Sequence, residues 1–391
     1  MMNTYFMKNY FSSEFVLGIL GGGQLGKMML YETRKYDIKT AVLDPSPDAP
    51  SKIACDSFYQ GDLMDYETVY RFGQNVDVLT FEIETVNVAA LQQLEKEGKK
   101  VYPSSKTLET IQNKGIQKKF YEKHNIPTAT FTRFSNKSHL AEGITTGKIK
   151  VPFVWKSTKG GYDGKGVSVV RRGSDIPKLP DTECIAEKLV DFKTELAVIV
   201  ARNLSGDIKT YPVVEMEFHP EANQVEYVIC PARIDQNTAQ KAQAVAKKVS
   251  EAYQHVGLLA VELFLTHENE ILVNEVAPRP HNSGHYSIEA SYTNQFEQHI
   301  RAILDLPLGA TDSKVGGIMV NLVGAEGHTG AVQYENIQDI MAMKGVTPHI
   351  YGKKQTRPFR KMGHVTIVHK DIHQARNIAE DVKNTIRVVS N

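Results

Sequence analysis

One segment indicates the architecture of this chain most clearly: Trp155-Lys-Ser-Thr-Lys-Gly-Gly-Tyr-Asp-Gly-Lys-Gly166. A predicted strand ends at Lys156, and a second predicted strand over 167–171 follows the glycines. A Walker A loop differs, because it leads into a helix and carries its lysine after the glycines. Four glycines within seven residues exceed what a solvated hairpin turn requires. We therefore predict a lid that closes over phosphates with backbone N–H groups, assisted by lysine charge.

Two glutamates lie on the arms of a hairpin predicted over 260–275. A turn over 266–269 would place Glu262 opposite Val273. Glu275 would then be a diagonal neighbour on the same face, roughly 7–8 Å away. Two acids on an apolar hairpin repel each other unless a cation binds between them, and Mg²⁺ with nucleotide phosphates fits because it uses few carboxylates. The alternative is an exposed acidic edge.

The segment Ala277-Pro-Arg-Pro-His-Asn-Ser-Gly-His285 follows the hairpin directly. Its prolines and glycine exclude a helix, so its two histidines do not form the i, i+4 pair of a zinc site. Arg279, His281 and Asn282 offer fixed donors that suit a small oxyanion, unless the loop is purely structural. Five cations within 353–361 suit a substrate phosphate, or else form a solvated basic loop.

A second glycine motif, G-x-G-x-x-G at 21–26, lies between a predicted strand over 15–20 and a predicted helix over 24–36. Asp44 ends the next strand at a distance typical of a ribose-binding acid. Three interpretations remain open: a tight turn without a ligand, a nicotinamide or flavin site, and a phosphate site for another ligand.

The chain has 391 residues with 46 basic and 45 acidic side chains, a formal net charge of +1. This balance argues against a general nucleic-acid-binding protein, which usually has a basic excess. Three widely spaced cysteines argue against a disulfide framework and favour a cytoplasmic protein. No run approaches the ~20 apolar residues of a membrane span. Residues 1–14 are expected to be an extension outside the fold, not a signal peptide.

The secondary-structure pattern changes near residue 105. Before that point strands alternate with helices, which predicts a parallel sheet. A helix over 106–124 is predicted next, followed by a mostly antiparallel α+β region that includes a strand over 209–216. A long helix over 236–255 is predicted with Asp235 as its N-cap. At roughly 100–200 residues per domain, the length suggests two to four domains.

Together these motifs resemble the ATP-grasp superfamily, and within it the family of 5-(carboxyamino)imidazole ribonucleotide synthases of purine biosynthesis. The resemblance extends from about Phe15 to the end, and the block 274–285 is its most specific part. It implies an α/β and α+β fold of three domains: a Rossmann-like N-terminal domain over 15–105, a split ATP-binding domain over 106–305 with a lid at about 125–190, and a small C-terminal domain over 306–391.

The resemblance also implies an activity. ATP, bicarbonate and 5-aminoimidazole ribonucleotide would give the carboxylated ribonucleotide, ADP and phosphate through carboxyphosphate, with Mg²⁺ as cofactor. The expected form is a cytoplasmic homodimer that acts on small molecules, with no nucleic-acid or membrane partner.

The site residues implied by the resemblance fall into four groups. The catalytic group is Lys156, Arg279, His281 and Asn282, of which the last three would hold bicarbonate or carboxyphosphate. The ATP group is Lys114, Lys156, Gly161, Tyr162, Asp163, Gly164, Lys165, Gly166, Glu187, Lys188, Leu189, Val190, Glu195, His219, Asn274 and Glu275. Mg²⁺ would bind Glu262 and Glu275. The ribonucleotide substrate would bind Gly23, Gln24, Leu25, Glu82, Tyr162, Asp163, Arg279, Lys353 and Arg360.

One position departs from the family pattern. Lys114 stands where arginine is common, so a planar fork is replaced by a point charge. Several alternatives stay open at this stage. Within the ATP-grasp superfamily they are a glycinamide ribonucleotide synthetase, a formate-dependent transformylase and a biotin carboxylase. Outside it they are an NAD-dependent oxidoreductase built on residues 21–26, and a non-catalytic nucleotide sensor.

Overall fold

The computed structural model describes residues 10–12, 14–160, 166–220 and 224–391. The N-terminal part is the predicted parallel α/β unit, and its five strands lie in the order β3-β2-β1-β4-β5. Its elements are β1 (Val16–Leu20), α1 (Gln24–Arg34), β2 (Lys39–Asp44), β3 (Ser57–Gln60), α2 (Tyr66–Gln74), β4 (Val78–Phe81), α3 (Val88–Lys96) and β5 (Lys100–Val101). The carboxyl ends of β1 and β4, its central strands, therefore lie side by side.

The prediction of a single helix over 106–124 was wrong. Two helices occur instead, α4 (Ser105–Gln112) and α5 (Lys114–Lys123), and they meet at Asn113. Asn113 has an extended backbone, and its side chain accepts a hydrogen bond from the Ile116 amide. Asparagine favours this capping role over a helix interior, because its amide competes for backbone hydrogen bonds.

A small antiparallel sheet follows, with strand order β6-β9-β7-β8. Its elements are β6 (Phe131–Phe134), α6 (Lys137–Thr145), β7 (Phe153–Ser157), β8 (Val167–Val170) and β9 (Cys184–Lys188). The glycine-rich segment over 155–166 contains the connection between the paired strands β7 and β8, as predicted. Residues 161–165 of that segment lie outside the described residues.

Among the described residues, the largest sheet has nine strands. Its main path is β15-β14-β10-β12-β13-β16-β20-β18, and β11 pairs with β10. The elements of the remaining chain are β10 (Phe192–Arg202), β11 (Ile208–Thr210), β12 (Val214–Phe218), β13 (Val225–Cys230), α7 (Gln236–Tyr253), β14 (Gly257–Thr266), β15 (Ile271–Ala277), α8 (Ser287–Ala290), α9 (Gln295–Ile303), β16 (Gly316–Val323), β17 (Gly330–Glu335), α10 (Ile337–Met341), β18 (Val346–Ile350), β19 (Gln355–Thr356), β20 (Lys361–His369), α11 (Ile372–Thr385) and β21 (Arg387–Ser390).

Two sequence predictions in this region had different outcomes. The strand expected over 209–216 is divided into β11 and β12. Pro212 lies between them and has no N–H group to continue a strand ladder. The N-cap of α7 is confirmed, because the Asp235 carboxylate accepts a hydrogen bond from the Thr238 amide at 3.0 Å.

Helix α9 connects the parallel sheet to the large sheet. Its Phe296 and Ile300 pack in one apolar core with Leu17 and Ile19 of β1. His299 of the same helix contacts the Thr80 hydroxyl on β4 at 2.9 Å and accepts a hydrogen bond from the Leu258 amide on β14 at 3.1 Å. These contacts hold the carboxyl edge of the parallel sheet beside the hairpin β14–β15. No helix among the described residues is both long and apolar enough to cross a membrane.

Candidate active site

The two acids of the hairpin β14–β15 face each other directly. Glu262 pairs with Glu275, and the predicted register, with Glu262 opposite Val273, was wrong. The hairpin closes one residue out of the expected register, because Leu265 pairs with Ile271 and not with Glu270. A bulge then shifts the register again between Glu262 and Leu263. Asn274 is the extra residue of this bulge, so the two acids lie closer together than the sequence predicted.

A third acid lies on the neighbouring strand. Glu262 pairs with Ala197 of β10, and Glu195 is two residues from Ala197, so both acids share one face of the sheet. Burial raises the pKa of Glu195 to about 7, and the charge of Glu275 adds to this effect. Burial also raises the pKa of Glu262, with repulsion from Glu275 and Glu195 as further causes.

This acidic face fits a magnesium ion. In the described part of the chain, no group of three or more His, Cys, Asp or Glu residues is arranged to hold a metal. Two facing carboxylates that repel each other are nevertheless a favourable donor set for Mg²⁺, which typically binds one or two carboxylates and completes its shell with phosphate oxygens and water. Glu262 and Glu275 would hold the ion.

Lysines surround the acidic pair. Lys114 Nζ lies 2.8 Å from Glu275 Oε2. The charge of Lys114 lowers the pKa of Glu275 although burial opposes it, so this acid stays ionised. Lys156 Nζ contacts Glu187 Oε2 at 2.9 Å and Asn274 Oδ1 at 3.1 Å. The bulge residue thus brings β15 into contact with the lysine that precedes the glycine-rich segment.

The loop after β15 brings its predicted donors to the same place. His281 Nε2 lies 3.4 Å from Glu262 Oε1. Burial and the nearby charge of Arg279 lower the pKa of His281 to about 3, so the ring is neutral at pH 7. Its Nδ1 accepts a hydrogen bond from the Ser283 amide at 3.3 Å, which leaves the proton on Nε2, the nitrogen nearest Glu262.

Arg279 is held by an acid from the parallel sheet. Its Nε lies 2.9 Å from Glu84 Oε1, and its Nη2 lies 3.1 Å from Glu84 Oε2. The Nη2 contact is a hydrogen bond, and together with the ion pair it holds the guanidinium beside Glu84. Asn282 is not a free donor, because its side-chain amide forms a reciprocal pair with Asn321 of β16, with both hydrogen bonds at 2.9 Å. It anchors the loop to the large sheet.

The motif at 21–26 has an internal partner. The Glu82 carboxylate accepts hydrogen bonds from the backbone amides of Gly23, Leu25 and Gly26, at 2.8, 3.1 and 3.1 Å. The Gly22 amide donates to Asp44 at 2.7 Å. These carboxylates occupy the N–H groups that a dinucleotide pyrophosphate would need at the start of α1. The arrangement therefore argues against a nicotinamide or flavin site.

The other predicted residues lie around this centre. Lys188, Leu189 and Val190 continue from Glu187 at the end of β9, and the Lys188 amide donates to the Thr130 carbonyl. His219 follows β12, and its ring lies 5.9 Å from the Phe359 ring, centre to centre. Three predicted residues make carbonyl contacts. Lys353 Nζ donates to the Lys361 carbonyl, Arg360 Nη1 donates to the Gln355 carbonyl, and the Gly166 carbonyl accepts from the Ser157 amide. Gly161, Tyr162, Asp163, Gly164 and Lys165 lie outside the described residues.

Sequence reasoning missed three residues of this centre: Glu84, Lys118 and Asn321. Glu84 stands two residues after Glu82, and the repeated acid in Thr-Phe-Glu-Ile-Glu was the available signal. No sequence signal marked Lys118 beyond its place in a charged helix, although its side chain is only 2% exposed. Asn321 is a polar residue within an apolar strand, a pattern that indicates a hydrogen-bond partner, because a buried polar group without one is costly.

Three family models match this chain in sequence order. A ribonucleotide synthetase preATP-grasp domain matches residues 15–112, an ATP-grasp domain matches 119–296, and a phosphoribosylaminoimidazole carboxylase C-terminal domain matches 317–378. The N5-carboxyaminoimidazole ribonucleotide synthase of Bacillus subtilis is 39% identical over 357 residues, which are 90% of this chain and 91% of that protein. The phosphoribosylaminoimidazole carboxylase of Candida albicans is 37% identical, and the match covers 92% of this chain but 65% of that longer protein.

Solved structures of proteins with the same names are also similar to this chain. N5-carboxyaminoimidazole ribonucleotide synthetase from Thermotoga maritima has a TM-score of 0.88 and 42% identity, and the match covers 96% of this chain and all of that one. The synthase from Aspergillus clavatus, in complex with ADP and 5-aminoimidazole ribonucleotide, has a TM-score of 0.87 and 32% identity, with 95% and 98% of the two chains covered.

Proposed function

The chain belongs to the family of N5-carboxyaminoimidazole ribonucleotide synthases, and we propose that the site described above carries out their reaction. The enzyme is an ATP-grasp ligase of purine biosynthesis. It joins bicarbonate to 5-aminoimidazole ribonucleotide and splits ATP into ADP and phosphate. The main supporting observation is the contact between His281 and Glu262, because it brings the loop over 277–285, with its predicted oxyanion donors, to the two acids of the hairpin.

The chemistry requires an activated form of bicarbonate, which is a poor electrophile. A bicarbonate oxygen attacks the γ-phosphorus of ATP, the bond to the β,γ-bridging oxygen breaks, and ADP leaves. The product, carboxyphosphate, loses phosphate, and its carbon bonds to the exocyclic amine nitrogen, which releases a proton. Such phosphoryl transfer depends mainly on positioning and charge neutralisation, so no protein nucleophile is needed.

Each cation at the site has a separate task in this scheme. Lys156 and Lys114 attract the nucleotide phosphates, and Lys114 also keeps Glu275 ionised. Arg279, held in place by Glu84, binds the bicarbonate or carboxyphosphate anion. Neutral His281 keeps its proton and donates a hydrogen bond from Nε2–H to the same anion. Bound Mg²⁺ would supply charge that stabilises the phosphoryl oxygens during transfer.

Other substrate contacts in the proposal rest on the family pattern. Glu187 to Val190, Glu195, His219 and Asn274 would contact the nucleotide. Lys353 and Arg360 would bind the phosphate of the ribonucleotide, with residues 23–25 and Glu82 nearby. Tyr162 and Asp163, which lie outside the described residues, keep their predicted substrate role, as does the glycine-rich lid.

We propose a cytoplasmic homodimer as the working form, together with the domain boundaries predicted from the sequence. The free cysteines Cys55, Cys184 and Cys230 support a reducing compartment. Sedimentation of the purified protein tests the assembly, since a homodimer has twice the chain mass of 43.7 kDa.

The experiment is ADP release by the purified protein with ATP, Mg²⁺ and bicarbonate, with and without 5-aminoimidazole ribonucleotide. We expect strong stimulation by the ribonucleotide, and its loss in Lys156→Ala and Glu275→Gln. Exposed positions give matched controls, Lys119→Ala and Glu268→Gln, which should keep the stimulation. Absence of stimulation in the unaltered enzyme would refute the assignment, and NADH oxidation without ATP use would support an oxidoreductase instead.

A further inference from the structure

A buried lysine with no assigned task stands behind the nucleotide site. Lys118 lies on α5, and its side chain is 2% exposed. Its Nζ is 3.1 Å from Glu187 Oε1 and donates a hydrogen bond to Thr128 Oγ1 at 2.6 Å. The Thr128 hydroxyl in turn donates to the Val273 carbonyl on β15 at 2.7 Å. The ammonium group is therefore fixed between the small sheet and the hairpin.

Glu187 divides its carboxylate between two lysines. Oε1 faces Lys118, and Oε2 faces Lys156 at 2.9 Å. Burial raises the pKa of Glu187, but the charges of Lys156 and Lys118 outweigh burial and leave this pKa below its ordinary value. The three ionised side chains thus carry one net positive charge.

We propose that Lys118 is a positioning residue, which neutralises Glu187 so that Lys156 keeps its positive charge for the nucleotide phosphates. Without Lys118, the buried carboxylate and Lys156 form a closed, neutral ion pair. A lysine held in such a pair has less charge to offer a second anion, and moving it away would leave the carboxylate unpaired in a buried place. The inference rests on the proposed function, because that function assigns Lys156 to phosphate.

Burial gives this account independent support. Desolvation lowers the pKa of Lys118 to about 8, partly offset by the charge of Glu187. An isolated ammonium is costly to bury, so its presence here needs a compensating acid. Thr128 and Glu187 are its partners, and neither is a proposed metal ligand. The lysine is thus suited to balancing the charge of Glu187, and it contacts a different carboxylate oxygen from the one that faces Lys156.

The test compares the affinities of ADP and AMP in Lys118→Met by calorimetry with the metal-containing enzyme. Both ligands carry the same adenosine, so their affinity ratio isolates the attraction of the additional phosphate. We expect the preference for ADP over AMP to fall about tenfold, because the site loses part of one positive charge. Removing the acid as well, in Lys118→Met/Glu187→Gln, should restore most of the preference, because Lys156 is then unpaired.

Controls separate this role from a merely structural one. Lys119→Met changes an exposed neighbour on the same helix and should leave the ratio unchanged. Lys118→Gln, which keeps a polar contact with Thr128, should lower the ADP-to-AMP affinity ratio as much as Lys118→Met does. It replaces Lys118→Met in the test if that variant folds poorly. An unchanged ratio in both neutral variants, or equal weakening of ADP and AMP, would overturn the proposal.

Steady-state kinetics give a second readout. KM for ATP should rise and kcat should fall in Lys118→Met, while KM for 5-aminoimidazole ribonucleotide stays within about twofold. If the unaltered enzyme shows no ribonucleotide-dependent turnover, the proposed function fails, but the ADP-to-AMP ratio still tests Lys118 by itself.

Discussion

Replacing Glu262 by glutamine should make the metal-free protein more stable and less active. Glu262 faces Glu275 across the bulge and shares its sheet face with Glu195. Its side chain is 17% exposed, so water screens the repulsion only partly. Glutamine keeps the shape and an oxygen that faces His281 Nε2, but it removes the charge that magnesium requires.

The size of the gain follows from the pKa of Glu262, which burial and its acidic neighbours raise from 4.5 to about 8. An acid with a raised folded-state pKa destabilises the fold at every pH above its unfolded value. From the unfolded pKa of 4.5 to pH 7 is about 2.5 pH units at about 1.4 kcal/mol each, which sets a ceiling of about 3.5 kcal/mol. Since acidic neighbours relax and water enters, we expect roughly 1–3 kcal/mol.

The assay is urea denaturation at pH 7 with EDTA, and then with Mg²⁺ and ADP. Glu262→Gln should unfold at higher urea than the unaltered protein in EDTA. The ligands should stabilise the unaltered protein much more than the variant, and turnover should fall at least 100-fold. Glu268→Gln, an exposed change on the same hairpin, should alter neither quantity. A variant that is less stable in EDTA, or that keeps full ligand stabilisation, would refute the reasoning.

Three further predictions concern the surroundings of the acidic pair. Arg279→Lys should lower kcat about 10- to 100-fold with little change in KM for ATP, because an ammonium cannot make the two-point contact with Glu84; steady-state kinetics will show this. Asn321→Leu should destabilise the protein by about 1–3 kcal/mol in urea, because the Asn282 amide loses its partner. Burial lowers the pKa of His299 from 6.5 to about 3, so the stability it contributes is present above pH 6.5 and is lost as the pH falls toward 3. His299→Gln should therefore flatten the acid side of a stability–pH curve by up to about 1.4 kcal/mol per pH unit.

Local patterns in the sequence predicted much of the chemistry. The strand–glycine–strand segment, the hairpin acids, and Arg279 with His281 each lie within a short stretch of sequence. Spacing therefore indicated which side chains come together, although the exact hairpin register was predicted wrongly. The Asp235 cap was predicted from a local pattern in the same way. Asn113, which divides the helix expected over 106–124, was also readable, since asparagine is a frequent N-cap.

Contacts between distant segments could not be predicted from local sequence patterns. Glu84 and Arg279 are 195 residues apart, and Asn282 and Asn321 are 39 apart. The register of the hairpin escaped prediction for another reason. Register depends on how the turn closes, and here the Thr266 amide donates to the Glu270 carbonyl at 3.0 Å, which leaves a turn over 267–269 and displaces the pairing by one residue.

The central claim is that this site activates bicarbonate by phosphorylation before carboxylating 5-aminoimidazole ribonucleotide. The most direct measurement uses ¹⁸O-labelled bicarbonate with unlabelled ATP, Mg²⁺ and the ribonucleotide, and follows the isotope into phosphate by mass spectrometry. The bicarbonate oxygen that attacks the γ-phosphorus stays on that phosphorus when carboxyphosphate breaks down. We therefore predict one ¹⁸O atom in each phosphate released, with one phosphate for each carboxylated ribonucleotide. Phosphate without label, formed at the same rate as product, would contradict the account.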